Sequence, residues 1–266
     1  MLWRFLMIFA LAGGAAGGAR AADAFATDWA RTLKADARLL AGGPRLAGFE
    51  IRLAPGAVTY WRNPGDAGEP PSFDFSRSVN LARAEPQFPA PARLPEPDGS
   101  EAFGYLGGVV FPIAVEPVDP ARPVVLAIRV NYAVCETICL PAKADLTLTL
   151  PQAASTPYAA AIEAARAATP RPVEWGALGA DLAAVDAQDW RLCLPAEAGP
   201  PRDLFLEAPP GWWLSTKPTP PPSGRDCFAI ALRDKPADGA LPLSARATFT
   251  GGAGALDVTI VLPQTP

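Results

Sequence analysis

The chain has 266 residues, half of them hydrophobic, a formal net charge of −4, 32 prolines, four cysteines and no histidine. Without histidine there is no Ser-His-Asp or Cys-His catalysis of the usual kind, no HExxH zinc site and no His-ligated copper or iron. An acidic chain offers no basic face to displace counterions, so nucleic acid is not an expected partner, and no GxxxxGK[ST] or GxGxxG run supports a phosphate-cradling loop.

The chain opens with Arg4, an apolar run over 5–11 and a small-residue tract closing on Ala19-Arg20-Ala21. This order predicts a cleaved signal peptide over 1–21, because the apolar run is well short of the roughly 20 residues a spanning helix needs. Cleavage removes Arg4, Arg20, Met1 and Met7, taking the net charge to about −6 and leaving no thioether. The four thiols are then the only soft ligands and strong nucleophiles. An exported chain reaches an oxidising compartment, where disulfides persist.

Strand-like alternation begins with Phe49, Ile51 and Leu53, between which Glu50 and Arg52 would face water. It recurs at Val124, Leu126, Ile128, Val130 and Tyr132, then at Leu146, Leu148 and Leu150 with threonines between. Turn chemistry separates the runs at 63–66, 97–99 and 119–120. Residues 22–152 therefore read as one antiparallel sandwich. The period then changes: Thr156 can cap a helix with Pro157 in its first position, and the alanine-rich stretch 158–168 ends at Thr169-Pro170. Tyr158, Ala161, Ile162 and Ala165 would share its packing face, in a connecting segment over 153–171. Alternating runs resume at 190–194, 204–208, 228–232, 243–249 and 256–262. Five or more short strands over 172–266 suit a second sandwich of immunoglobulin-like size. The fold expected is all-β, two immunoglobulin-like sandwiches joined by a short helix. Trp212-Trp213, after Pro209-Pro210-Gly211, reads as buried core of the second, with an exposed binding edge as the alternative.

Cys135 and Cys139 lie four positions apart between two good strands. Extended, they would stand roughly 13 Å apart, whereas a disulfide needs Cα atoms within about 7 Å, so the segment must turn for them to bond. A five-residue loop closed by such a bond gains about 2 kcal/mol, against nearly 4 kcal/mol for the loop between Cys193 and Cys227 (~35 residues). The close pair is thus the poorer staple and the better redox couple, since a neighbouring thiol resolves a mixed disulfide quickly. Two other readings stay open: a structural disulfide, and a two-thiolate Cu(I) site of a copper-tolerance factor, which lacks His or Met to complete its coordination. Four cysteines allow three connectivities; proximity favours Cys135 with Cys139, and Cys193 with Cys227 as a structural inter-strand staple. No metal or other cofactor is expected.

The string Tyr132-Ala133-Val134-Cys135-x-x-Ile138-Cys139-Leu140-Pro141-Ala142, with Val109-Val110-Phe111-Pro112 and the block 60–68 (Tyr-Trp-Arg-Asn-Pro-Gly-Asp-Ala-Gly), resembles the N-terminal periplasmic domain of the thiol:disulfide interchange protein DsbD family. The likeness runs over about 30–151 and is nearest the suppressor-of-copper-sensitivity branch. It implies an immunoglobulin-like sandwich in the periplasm whose cysteine pair, here Cys135 and Cys139, takes electrons from a membrane-embedded transporter and passes them to periplasmic thioredoxin-like proteins. Family members cover the pair with an aromatic-bearing loop, for which Phe103 or Tyr105 is the candidate shield, with Tyr60 and Trp61 as further lining. Arg62 and Asp66 are expected as turn charges or a local ion pair, and Lys143 as a solvated strand residue or, alternatively, a cation that modestly favours a thiolate. Longer members add a membrane segment and a thioredoxin-like domain that these 266 residues do not contain, and only three residues separate the two thiols. A non-catalytic envelope protein-binding module is therefore the rival reading.

Overall fold

The computed structural model describes residues 23–66, 68–95, 100–220 and 224–264. The expected signal peptide, the turn at 97–99 and part of the turn at 218–224 lie outside them. The chain runs β1 (Ala30–Arg31), β2 (Ala35–Gly43), β3 (Leu46–Leu53), β4 (Val58–Gly65), β5 (Ser72–Asp74), β6 (Leu81–Pro86), β7 (Ala92–Pro95), β8 (Glu101–Leu106), β9 (Gly108–Pro117), β10 (Val125–Cys135), β11 (Cys139–Thr149) and α1 (Ala159–Ala167). There follow β12 (Arg171–Pro172), β13 (Asp181–Ala184), β14 (Asp189–Pro195), β15 (Asp203–Glu207), β16 (Trp213–Thr219), β17 (Arg225–Asp234), β18 (Leu243–Thr250) and β19 (Leu256–Leu262).

Two immunoglobulin-like sandwiches result. The first packs a sheet ordered β1-β2-β3-β9-β6 on one ordered β11-β10-β4-β8-β7, with β5 also paired to β10. The second packs β12-β19-β18-β15 on β13-β14-β17-β16. Pairing is antiparallel except between β12 and β19. The alternation in β3 works as the sequence implies: Phe49 and Ile51 are buried, while Glu50 turns outward to Arg38 at 2.6 Å. The first core is aromatic, with Phe49, Phe73, Phe88 and Phe111 in edge and stacked contacts. Trp190, Phe228 and Phe249 centre the second.

Helix α1 starts where the Thr156 hydroxyl accepts the Tyr158 amide at 3.1 Å. It docks through Ile162, with Tyr158 and Ala165 half-buried; Ala161, expected on that face, is exposed. The underlying sheet makes room with glycine: a Cβ at Gly48 would lie 2.9 Å from Ile162 Cγ1. The second sandwich is not merely tethered by this helix. In β15, Leu204 and Leu206 face their own core, and Phe205 between them points the other way, fully buried in the core cluster of the first sandwich. Its ring stands 6.0 Å from that of Trp61 and 4.8 Å from that of Phe103.

Burying a phenylalanine contributes about 2–3 kcal/mol, and truncating one leaves a cavity as well. Phe205→Ala is expected to lose about 3–5 kcal/mol and to split a shared calorimetric unfolding transition into two. A single transition with an unmoved midpoint would contradict this coupling.

Candidate functional site

The long antiparallel ladder of β10 and β11 closes on Cys135 directly opposite Cys139, with Glu136, Thr137 and Ile138 forming the turn. This hairpin supplies the reversal that the four-residue spacing requires: the Cα atoms are 4.0 Å apart and the sulfurs are bonded. The two sulfurs are not equivalent. Cys135, on an inner strand, is 5% exposed, whereas Cys139 begins the edge strand and is exposed. Ile138 beside it is 72% exposed. Glu136 in the turn is held by Lys34 at 2.6 Å.

Strand β4 forms the floor. Val58 pairs with Cys135 on one side and with Leu106 of β8 on the other, so these side chains and the disulfide form one row across the outer face. In the next row Tyr60 is buried, and its hydroxyl donates to Cys139 Sγ at 3.5 Å. Tyr60 is walled in by Leu94, Ala102 and Ala133. Gly68 lies on its ring: at φ +99° this residue must be glycine-like, and a Cβ there would sit 2.2 Å from Tyr60 Cε1. The Thr59 hydroxyl fastens β4 to β10 by donating to the Ala133 carbonyl at 2.8 Å.

Not every residue singled out from sequence lies here. Tyr60 is at the disulfide, but Trp61, its neighbour on the opposite face, is in the first core. Phe103 and Tyr105 also face inward, because Tyr60 pairs with Gly104 and thereby fixes the alternation of β8. Phe103 packs on Phe205 rather than over the sulfurs. The Tyr105 hydroxyl donates to the Pro89 carbonyl at 2.8 Å, and burial pushes its pKa well above the ordinary phenol value. The aromatic residue in contact with the pair is therefore Tyr60, from the strand beneath. Lys143 is four strand positions from Cys139 and binds Asp145 at 3.0 Å. The hydrogen bond from Lys143, joined by Arg129, holds the Asp145 carboxyl below its ordinary range.

Arg62 and Asp66 do not pair with each other. The β4 ladder slips between Tyr60 and Gly65, and this bulge reaches the second sandwich. Arg62 grips Glu207 through Nε and Nη2 at 2.7–3.1 Å, lies 3.9 Å over the Trp61 ring and donates to the Thr248 hydroxyl at 3.2 Å. Asn63 Nδ2 donates to the Leu206 carbonyl at 2.8 Å. Asp66 accepts from Trp213 Nε1 at 3.0 Å and from the Glu101 amide at 3.2 Å. Trp213, expected in the core, is 50% exposed at the rim of a cleft of about 610 Å³ between the sandwiches, while Trp212 packs on the second core. Arg93 completes the junction on Asp203, Leu204 O and Thr216 at 2.9–3.0 Å and on Glu101. Burial opposes its charge, yet the Asp203 and Glu101 carboxylates keep its pKa raised. None of these junction partners was evident as such from sequence, although one signal existed: Leu204-Phe205-Leu206 leaves no polar position in a strand that should alternate.

Cys193 and Cys227 also face each other across a ladder, between β14 and β17, with Cα atoms 4.2 Å apart and sulfurs bonded. Both are buried, at 4% and 3% exposure. Arg225 Nη2 donates to the Cys193 carbonyl at 2.9 Å. Among the described residues no cysteine is free and no group of three or more His, Cys, Asp or Glu side chains gathers as a metal site would need. No helix among them is long and apolar enough to cross a membrane.

The family model for the N-terminal domain of the thiol:disulfide interchange protein DsbD matches residues 27–151. The solved N-terminal periplasmic domain of ScsB from Proteus mirabilis is similar in fold, with a TM-score of 0.70 at 20% identity over 91% of this chain and 100% of that one. No curated protein matches the chain. Residues 27–151, with Cys135 and Cys139 among them, are thus similar to the DsbD N-terminal domain family.

Proposed function

We propose that the chain is a periplasmic thiol-disulfide exchange module that relays reducing equivalents through Cys135 and Cys139, without a bound cofactor. The observation that carries this reading is the unequal exposure of two bonded sulfurs at the end of a hairpin: an outside thiolate can reach Cys139 but not Cys135. The match of residues 27–151 to the DsbD N-terminal family model supports the same chemistry. By that likeness its partners are a membrane-embedded electron transporter and periplasmic thioredoxin-like proteins, and the chain enters the periplasm by way of a cleaved signal peptide.

In the forward direction the Cys139 thiolate attacks a sulfur of a partner protein's disulfide. The partner's S–S bond breaks, a Cys139–partner bond forms, and one partner sulfur leaves as thiolate. Cys135 then attacks Cys139 Sγ, closing the Cys135–Cys139 disulfide and releasing the second partner thiol. Two electrons pass to the partner, which takes up two protons overall, and the pair is oxidised. Recharging is the same sequence reversed, with a reduced dithiol protein as donor. Cys135, buried directly opposite, is placed to resolve and not to initiate. The second pair, buried and closing a long loop, is assigned a structural role.

Cys135→Ser is expected to leave a reactive Cys139 that accumulates a stable mixed disulfide with an oxidised thioredoxin-like protein, whereas Cys139→Ser traps little. Non-reducing electrophoresis with mass mapping reads the outcome; trapping by neither variant would sink the proposal. Replacing Cys193 and Cys227 together by alanine should lower stability in denaturant titrations by about 4 kcal/mol while trapping through Cys139 persists. Loss of trapping in a variant still folded would refute the structural assignment.

A further inference from the structure

The second sandwich holds, at two places, the stretch of chain that follows Tyr60. Immediately after Tyr60, Trp61 packs on Phe205, Arg62 is gripped by Glu207 and Thr248, and Asn63 is bound to the Leu206 carbonyl. Beyond the bulge, Asp66 is fastened to Trp213, just ahead of the loop whose Gly68 presses on the Tyr60 ring. The backbone just beyond Tyr60 is thus held by five residues of the second sandwich, and the Tyr60 hydroxyl ends on the exposed sulfur.

We infer that the second sandwich positions Tyr60 and through it sets the reactivity of Cys139, Glu207 and Trp213 being positioning residues for a hydrogen bond made by the first sandwich. This rests on the exchange function proposed above and adds its control. In the oxidised state the phenol donates to a neutral sulfur, a weak interaction. After reduction the same O–H faces a thiolate, and a hydrogen bond to a charged acceptor is roughly twice as strong. A held phenol therefore favours the reduced pair, and a loosened one favours the disulfide. A partner that engaged the cleft at Trp213 would gain a handle on the pair without approaching the sulfurs.

The test uses the full chain and two readouts that a merely structural role would not move: the equilibrium with glutathione, and the pH profile of thiolate absorbance after reduction. Tyr60→Phe is expected to shift the glutathione equilibrium about fivefold toward the disulfide and to move thiolate formation to higher pH. Glu207→Gln and Trp213→Phe should each shift both readouts in the same direction by about twofold or more, and should add nothing in a Tyr60→Phe background. Trp213→Phe removes a single hydrogen bond from a half-exposed side chain, so it covers the case in which Glu207→Gln fails to fold. The inference is overturned if Tyr60→Phe has no effect, if the distant variants leave both readouts unchanged, or if their effects add to that of Tyr60→Phe. If instead the wild-type pair does not exchange with glutathione or a thioredoxin-like protein at all, the exchange function itself fails.

Discussion

The structure turns on strand β4 being held on both of its faces. In three consecutive residues the chain sends Tyr60 outward to the disulfide, Trp61 inward to the first core and Arg62 across to the second sandwich. The Tyr60 hydrogen bond is modest by itself, since such a bond contributes about 1 kcal/mol net, whereas the buried Trp61 ring and the charged Arg62–Glu207 pair hold the same backbone more firmly. Their effect lies in restricting one backbone from three directions, so that the sulfurs rest on a floor that cannot shift without disturbing two cores. Phe205 completes the arrangement by placing a side chain of the second sandwich inside the first. Chemistry at an exposed sulfur can then be set by packing some distance away.

The two disulfides show how one covalent bond serves different ends according to its place in a ladder. Each joins residues directly opposite on antiparallel strands. Cys135–Cys139 caps a hairpin at the sheet edge, closes a loop too short to restrict the unfolded chain much, and leaves one sulfur exposed. Cys193–Cys227 joins inner parts of two strands across a separation of 34 residues and leaves neither sulfur open. Length of loop and access of solvent, and not sulfur chemistry alone, separate a staple from a candidate carrier.

Much of this was legible in the sequence because it is local. The alternation of Phe49, Ile51 and Leu53, the helix around Ile162 and the need for a turn between Cys135 and Cys139 all follow from periodicity and bond reach. The errors came from pairings that periodicity does not carry. The resemblance makes Phe103 or Tyr105 a candidate shield, with strand packing as the alternative, but a strand's faces are assigned only by its register with its neighbour, and one step reverses them. Tyr60 opposite Gly104 sends both rings inward. Arg62 and Asp66 read as turn charges or a local ion pair, whereas their partners Glu207 and Trp213 lie more than a hundred residues on. The apolar triplet 204–206 announced a strand buried on both faces without saying against what.

The measurement closest to the central claim is a titration of the whole chain in glutathione buffers of graded potential, with the state of each disulfide read by differential alkylation and mass spectrometry. The account predicts that Cys135–Cys139 opens first, at a potential above the range below about −300 mV that marks structural bonds, while Cys193–Cys227 is still closed. Opening of Cys193–Cys227 first, or resistance of Cys135–Cys139 throughout, would contradict it.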